Sequence, residues 1–222
     1  MSQNIYGNEV NQDIEDVENT QPKNTVDDEY YEEDLEKKHL YKEIEFAVDV
    51  DDSIVYIVGE IEDFGLYDFM VRCRAILRNR VEGDTSPINV VIDSPGGDVY
   101  EMFGIIDYIE SLEKNSDIKV NTICRGKAMS AAAMILASGT GKRLASKRST
   151  VMIHEGSSMQ AGKTSDVKAA QKYNAHLEDM ANTVLGEKTS KDKQFWSEQT
   201  KTDLYLSAKD AQKLGVIDGI IH

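Results

Sequence analysis

The chain has 222 residues, 40% of them apolar and 29% charged, with a formal net charge of −15. That length supports one domain of ordinary size, alone or with a long appendage, and excludes a machine of several large domains. The apolar content suffices for a real core, no run approaches the roughly 18 apolar residues of a membrane helix, and the acidic excess argues against nucleic acid as a partner, because neutralising phosphates needs clustered Lys and Arg.

Residues 1–38 hold 12 carboxylates against three lysines, a net −9, with few large apolar residues and no sustained period. Such a segment cannot bury enough surface to offset chain entropy, so it reads as an acidic disordered tail ahead of a folded domain over 39–222. The start, MSQNIYGNEVNQDIEDVENT, lacks the basic, apolar, small-residue order of a secretory signal, which predicts a cytoplasmic protein. Cys73 and Cys124 sit in apolar patterns and read as small buried hydrophobes in a reducing compartment.

From Ser53 the pattern is regular. Ile54 to Val58 form a β-branched run that stops at Gly59, as a parallel strand would. Leu66, Phe69, Met70, Cys73, Ile76 and Leu77 then recur at three- and four-residue intervals, which predicts a helix ending near Arg80. A strand over 88–92 precedes a second helical pattern through Met102, Ile105, Ile106, Ile109 and Leu112. A third strand over 120–124 leads to a helix of small residues over 130–138. Strand and helix alternate three times, which predicts an α/β fold around a mostly parallel sheet. Further on, a strand over 151–154 precedes a long helix over 165–185. Its Tyr173, Leu177 and Met180 are expected on an exposed surface. A strand over 204–206 is followed by a helix that Ser207 caps and Gly215 ends, and 216–221 closes the fold.

Several short matches carry no chemistry. Asp49, Asp51, Ser53 and Glu60 have calcium-loop spacing, but Ile54 stands where the sharp turn needs glycine. Gly139 and Gly141 before Lys142 lack the rest of a phosphate loop, and two scattered cysteines with four scattered histidines build no zinc site. The turn Ser94-Pro95-Gly96-Gly97 is more informative. Glycines between a strand and a helix let the backbone turn sharply and present bare N–H groups, either as a plain tight turn or as an oxyanion-stabilising loop. Ser130, in GKAMSAAAM, lies at another strand-to-helix junction, where a hydroxyl is either a helix cap or a nucleophile held on rigid elements. A serine nucleophile needs a base, and of the four histidines only His154 ends a buried strand. An orienting acid is also required. Asp203, before the strand at 204–206, fits that need, as do other carboxylates.

These pieces together resemble a family, the proteolytic subunit of the Clp protease. IVYIVGEIED, INVVIDSPGGDV, GKAMSAAAM, VMIHEG and DLYLSAKDAQKLGVIDGII occur in order from about Ile54 to Ile221. The resemblance implies the superfold shared with crotonases, built of repeated ββα and βαβ units with a mostly parallel sheet and a protruding handle helix. It implies a serine endopeptidase with no cofactor, in which Ser130 is the nucleophile, His154 the general base and Asp203 its orienting acid. Gly97 and Ala131 would supply the oxyanion-hole N–H groups. Backbone at Asp98 and Val99, and at Glu155 and Gly156, would flank an extended polypeptide substrate by β-pairing. The helix over 165–185 would join heptameric rings into two stacked rings enclosing a chamber, with an AAA+ unfoldase as possible partner.

Departures from the family pattern are Ala131-Ala132 after the serine, Glu155-Gly156 after the histidine, and Asp93 where asparagine is common. With the tail, these would suit a phage-encoded member acting in capsid maturation. Other readings are an acyl-CoA-binding enzyme of the crotonase type, a serine protease using Lys127 as base, and an inactive assembly subunit. None of those accounts for Ser130 and His154 together as economically as the triad.

Overall fold

The computed structural model describes residues 43–157 and 159–222. The segment 1–38, read above as a tail, lies outside them. A two-residue strand, β1 (Val48–Asp49), pairs antiparallel with β2 (Ile54–Ile61). Then follow α1 (Gly65–Asn79), β3 (Ile88–Gly97), α2 (Val99–Ser116), β4 (Val120–Met129), α3 (Ala131–Ala137) and β5 (Arg143–Ser146). The chain continues through β6 (Thr150–Ile153), α4 (Thr164–Lys188), α5 (Lys193–Gln199), β7 (Leu204–Ser207), α6 (Ala208–Lys213) and β8 (Gly219–Ile221).

The fold is α/β, as the alternation of periods predicts. Its eight-stranded sheet runs β1-β2-β3-β4-β5-β8, with β6 and β7 branching from β4. All neighbours are parallel except β1 with β2 and β6 with β7. The apolar stripes of the helices face this sheet: Phe69, Cys73 and Ile76 from α1, and Met102, Ile105, Ile106, Ile109 and Leu112 from α2, are buried. Every residue of α3 is buried. Its alanines let it sit at the centre of the molecule, against β3, β4, β6, α2 and α4. Trp196 of α5 is fully buried and donates its indole N–H to Thr189 Oγ1 at 2.8 Å.

Branching at β4 matters most for the site. Thr122–Cys124 pair with Arg143–Ala145 of β5, whereas Lys127–Met129 pair with Thr150–Met152 of β6. One strand thus serves two neighbours in succession, and the ends of β4 and β6 come side by side.

Four expectations change. Gly59 does not end its strand; it takes φ 80° inside β2 and absorbs a register shift against β3, so the strand continues to Ile61. Strands β3 and β4 run on through the segments read as turns, to Gly97 and Met129. Strand β5 has no counterpart in the sequence reading, because its four residues contain only two apolar ones. Leu177 is buried rather than displayed, while Tyr173 and Met180 on the same helix are exposed. Among the described residues, no helix is long and apolar enough to cross a membrane.

Candidate active site

Ser130 lies between β4 and α3 with φ 52° and ψ −123°, a positive φ that a side-chain-bearing residue rarely adopts. Such strain costs about 1–3 kcal/mol and persists only where surroundings enforce it. Here the enforcement is visible on both sides: Ser130 N–H donates to Met152 O on β6 at 2.8 Å, and Ser130 O accepts from Ala133 N–H at the start of α3 at 2.9 Å. The side chain does not cap the helix. It meets His154, with Oγ 2.8 Å from Nε2. The pairing of β4 with β6 explains this meeting, since Met129 lies opposite Met152 and each of the two side chains comes from the first residue after its strand.

The same logic brings in Asp203. Strands β6 and β7 are antiparallel, with Thr150 opposite Ser207 and Ile153 opposite Leu204. One step further along that register sets position 154 opposite position 203, on the same face. His154 Nδ1 lies 3.4 Å from Asp203 Oδ1. With the proton on Nδ1 facing Asp203, Nε2 is left to accept from the Ser130 hydroxyl. The Asp203 side chain is 53% exposed and that of His154 25% exposed, so this acid is held more loosely than a buried one. Its other oxygen faces Tyr205 Oη at 3.5 Å.

The segment Ser94–Gly97 lies against the serine. A methyl placed on Gly96, which has φ 99°, would meet Met129 O at 2.5 Å, Ser130 Cβ at 2.8 Å and Ala131 N at 3.0 Å. Only glycine admits that approach. Gly96 N–H donates to Ser94 Oγ at 3.0 Å, and Ser94 is fully buried. Gly97 sits opposite Ile61 in the parallel register, and Ile61 O accepts instead from Asp98 N–H at 2.7 Å. In a parallel ladder that pattern turns the N–H of Gly97 itself away from β2. Ala131 opens α3, so its N–H has no intrahelical partner.

The other positions that the resemblance sets beside a substrate differ in what they still offer. Asp98 N–H is taken by Ile61, Asp98 O accepts from Met102 N–H at 3.1 Å, and its carboxylate caps α2 by accepting from Tyr100 N–H and Glu101 N–H. Val99 is the first residue of α2 and packs against the core. Neither can present a strand edge. Glu155 and Gly156 are exposed, and Glu155 N–H is anchored to Thr200 O at 2.7 Å. Nothing in the sequence marks Thr200 as the partner that fixes the chain beyond His154. Glu178 of α4 is close enough to feel this segment: burial, and then the Glu155 charge, push its carboxyl above the ordinary value. Lys127, the alternative base, pairs with Asp93 at 3.5 Å, while His154 occupies the serine.

A family model described as Clp protease matches residues 38–222. Among curated proteins, the chain is similar to the ATP-dependent Clp protease proteolytic subunit 1 of Prochlorococcus marinus, 35% identical over 63% of this chain and 70% of that one. Subunit 1 of Prochlorococcus marinus subsp. pastoris is 33% identical over 73% of this chain and 91% of its own length. Proteolytic subunit 3 of Frankia casuarinae is 30% identical over 77% of each. Fold, matched span and relatives agree: this chain belongs to the Clp protease family and is a serine-type peptidase.

Proposed function

We propose that the protein is an endopeptidase for unfolded polypeptides, acting through a Ser130-His154-Asp203 triad and an acyl-enzyme. The observation that carries this reading is the 2.8 Å contact of Ser130 Oγ with His154 Nε2, made by a serine held at positive φ. Oγ attacks the scissile carbonyl carbon while its proton passes to Nε2. Gly97 N–H and Ala131 N–H receive the developing oxyanion. Asp203 keeps the Nδ1 proton in place and favours the imidazolium. Collapse of the tetrahedral species breaks the C–N bond, and the leaving amine takes the proton from His154. A water molecule, giving its proton to the same nitrogen, then hydrolyses the ester and restores Ser130.

An extended substrate pairs with the edge at Gly97 on one side and the backbone at Glu155 and Gly156 on the other, which requires an unfolded chain. Asp98 holds that edge in place rather than pairing, since its backbone N–H and C=O are engaged within the fold, and Val99 already belongs to α2. The protein works as stacked rings around a chamber, fed by an AAA+ unfoldase. The length of α4, 25 residues, and the exposure of its Tyr173 and Met180 support a ring-forming role for that helix.

The test is labelling with a fluorophosphonate probe. Native protein becomes labelled on Ser130, and Ser130→Ala and His154→Ala do not. Lys127→Ala keeps substantial peptidase activity. An active His154→Ala beside a dead Lys127→Ala defeats the triad. Full peptidase activity in a species that sediments as a monomer defeats the ring.

A further inference from the structure

Between Ile92 and Ser94 on β3 there is one residue, Asp93, whereas between their partners Cys124 and Ala128 on β4 there are three, Arg125, Gly126 and Lys127. Strand β4 therefore bulges by two residues directly opposite Asp93, and the bulge is the last irregularity before Ser130. A bulge of this kind leaves backbone groups without ladder partners and lets the strand beyond it shift. The Asp93 carboxylate fills the gap. Its Oδ1 accepts from Lys127 N–H at 3.1 Å and lies 3.5 Å from Lys127 Nζ. Gly126 presses on the same group: a methyl there would lie 2.5 Å from Asp93 Oδ1.

Asp93 also stands immediately before Ser94-Pro95-Gly96-Gly97, and Lys127 stands three residues before Ser130. One carboxylate thus ties together the two segments that bring Gly97 N–H and Ser130 Oγ to the same carbonyl. We infer that Asp93 is a positioning residue, which pins the β4 bulge through the Lys127 backbone N–H and so sets the spacing between the oxyanion donor and the nucleophile. This rests on the assignment of Ser130 and Gly97 made above. The Lys127 ammonium is secondary, because both partners of the ion pair are more than 40% exposed and such pairs contribute little.

Peptide hydrolysis and the rate of fluorophosphonate labelling, measured on the full chain together with its melting temperature, test the inference. Asp93→Ala removes the acceptor; kcat and the labelling rate should fall together by roughly 10- to 100-fold, the scale expected for a sub-ångström misplacement, with KM within about twofold of native. Asp93→Asn keeps the acceptor without the charge and should hold kcat within about threefold, and Lys127→Ala, which keeps the backbone N–H, should do the same. Asp93→Glu keeps charge and acceptor but displaces them by a methylene. It should lose kcat at unchanged KM, and it carries the test if Asp93→Ala does not fold. Native kcat in Asp93→Glu or in folded Asp93→Ala overturns the inference, as does an Asp93→Asn enzyme as poor as Asp93→Ala. Ser130→Ala, assayed beside them, separates the two claims. Hydrolysis surviving in Ser130→Ala overturns the nucleophile and with it the role of Asp93, whereas a dead Ser130→Ala beside a fully active Asp93→Ala overturns Asp93 alone.

Discussion

Arg143→Ala should destabilise the fold more than any other single polar substitution in β5. The side chain is 16% exposed, and its guanidinium ties three other elements to β5. Nη1 donates to Ala137 O at the end of α3 at 3.2 Å and to Lys188 O at the end of α4 at 2.5 Å. Nη2 donates to Asp218 Oδ1 at 2.5 Å and Nε to Oδ2 at 3.2 Å, ahead of β8. Two helix-end carbonyls would lose their donor, at about 1–3 kcal/mol each where water cannot replace it. The fork to Asp218 counts for less, about 1 kcal/mol, because that carboxylate is 44% exposed. The total is about 4 kcal/mol, which for a domain of this size lowers the melting temperature by roughly 10 °C. Trp196, the single tryptophan and fully buried, reports unfolding by fluorescence in heat or urea. The pH dependence is a second signature. Partial burial pushes the Asp218 carboxyl up, but the hydrogen bonds and charge of Arg143 outweigh it, and the net direction is down. A depressed folded-state value means stability that is present above the ordinary aspartate range and lost as pH falls through the folded value. Arg143→Ala should remove that acid-side slope. A melting temperature within about 3 °C of native, or an unchanged slope below pH 4, would refute the reasoning.

Gly96→Ala should abolish peptide hydrolysis while leaving most of the far-UV circular dichroism, because its methyl meets the Met129 carbonyl and Ser130 Cβ at a φ of 99°; a native kcat would show that the contact yields freely. Asp203→Asn should lower kcat by about 10²-fold rather than the roughly 10⁴-fold seen when a buried triad acid is replaced, because Asp203 is solvent-exposed and 3.4 Å from Nδ1; steady-state kinetics at fixed pH decides. The two thiols should resist a disulfide reagent at pH 8 until the protein unfolds, since burial pushes Cys73 up to about 12 and Cys124 up to about 11; stoichiometric reaction in the native state would contradict their burial.

The sequence by itself determined what depends on near neighbours. Three- and four-residue spacing located α1 and α2, and short apolar runs located the first halves of β3 and β4, because burial is a local pattern. Glycines at 96 and 97 and a serine among alanines marked the two strand-to-helix junctions, because positive φ and close packing restrict residue type at the position itself. What only the tertiary structure decided is relational. Asp203 became distinct from the other carboxylates through the antiparallel register of β6 and β7, which sets position 203 opposite 154. Strand β5 is fixed by parallel pairing with β4 on one side and β8 on the other, where Leu144 meets Gly219 and Ala145 meets Ile220, and no four-residue window holds that information. Gly59 looked like a stop and is a bulge, since a glycine at positive φ serves either purpose and only the partner strand chooses. Leu177 looked exposed on a wide polar helix and is buried, while Asp93, which in the sequence was only a departure from the family's asparagine, faces a two-residue bulge. Register and helix docking are settled by the sum of contacts across the whole sheet, and that sum appears in no single stretch of chain.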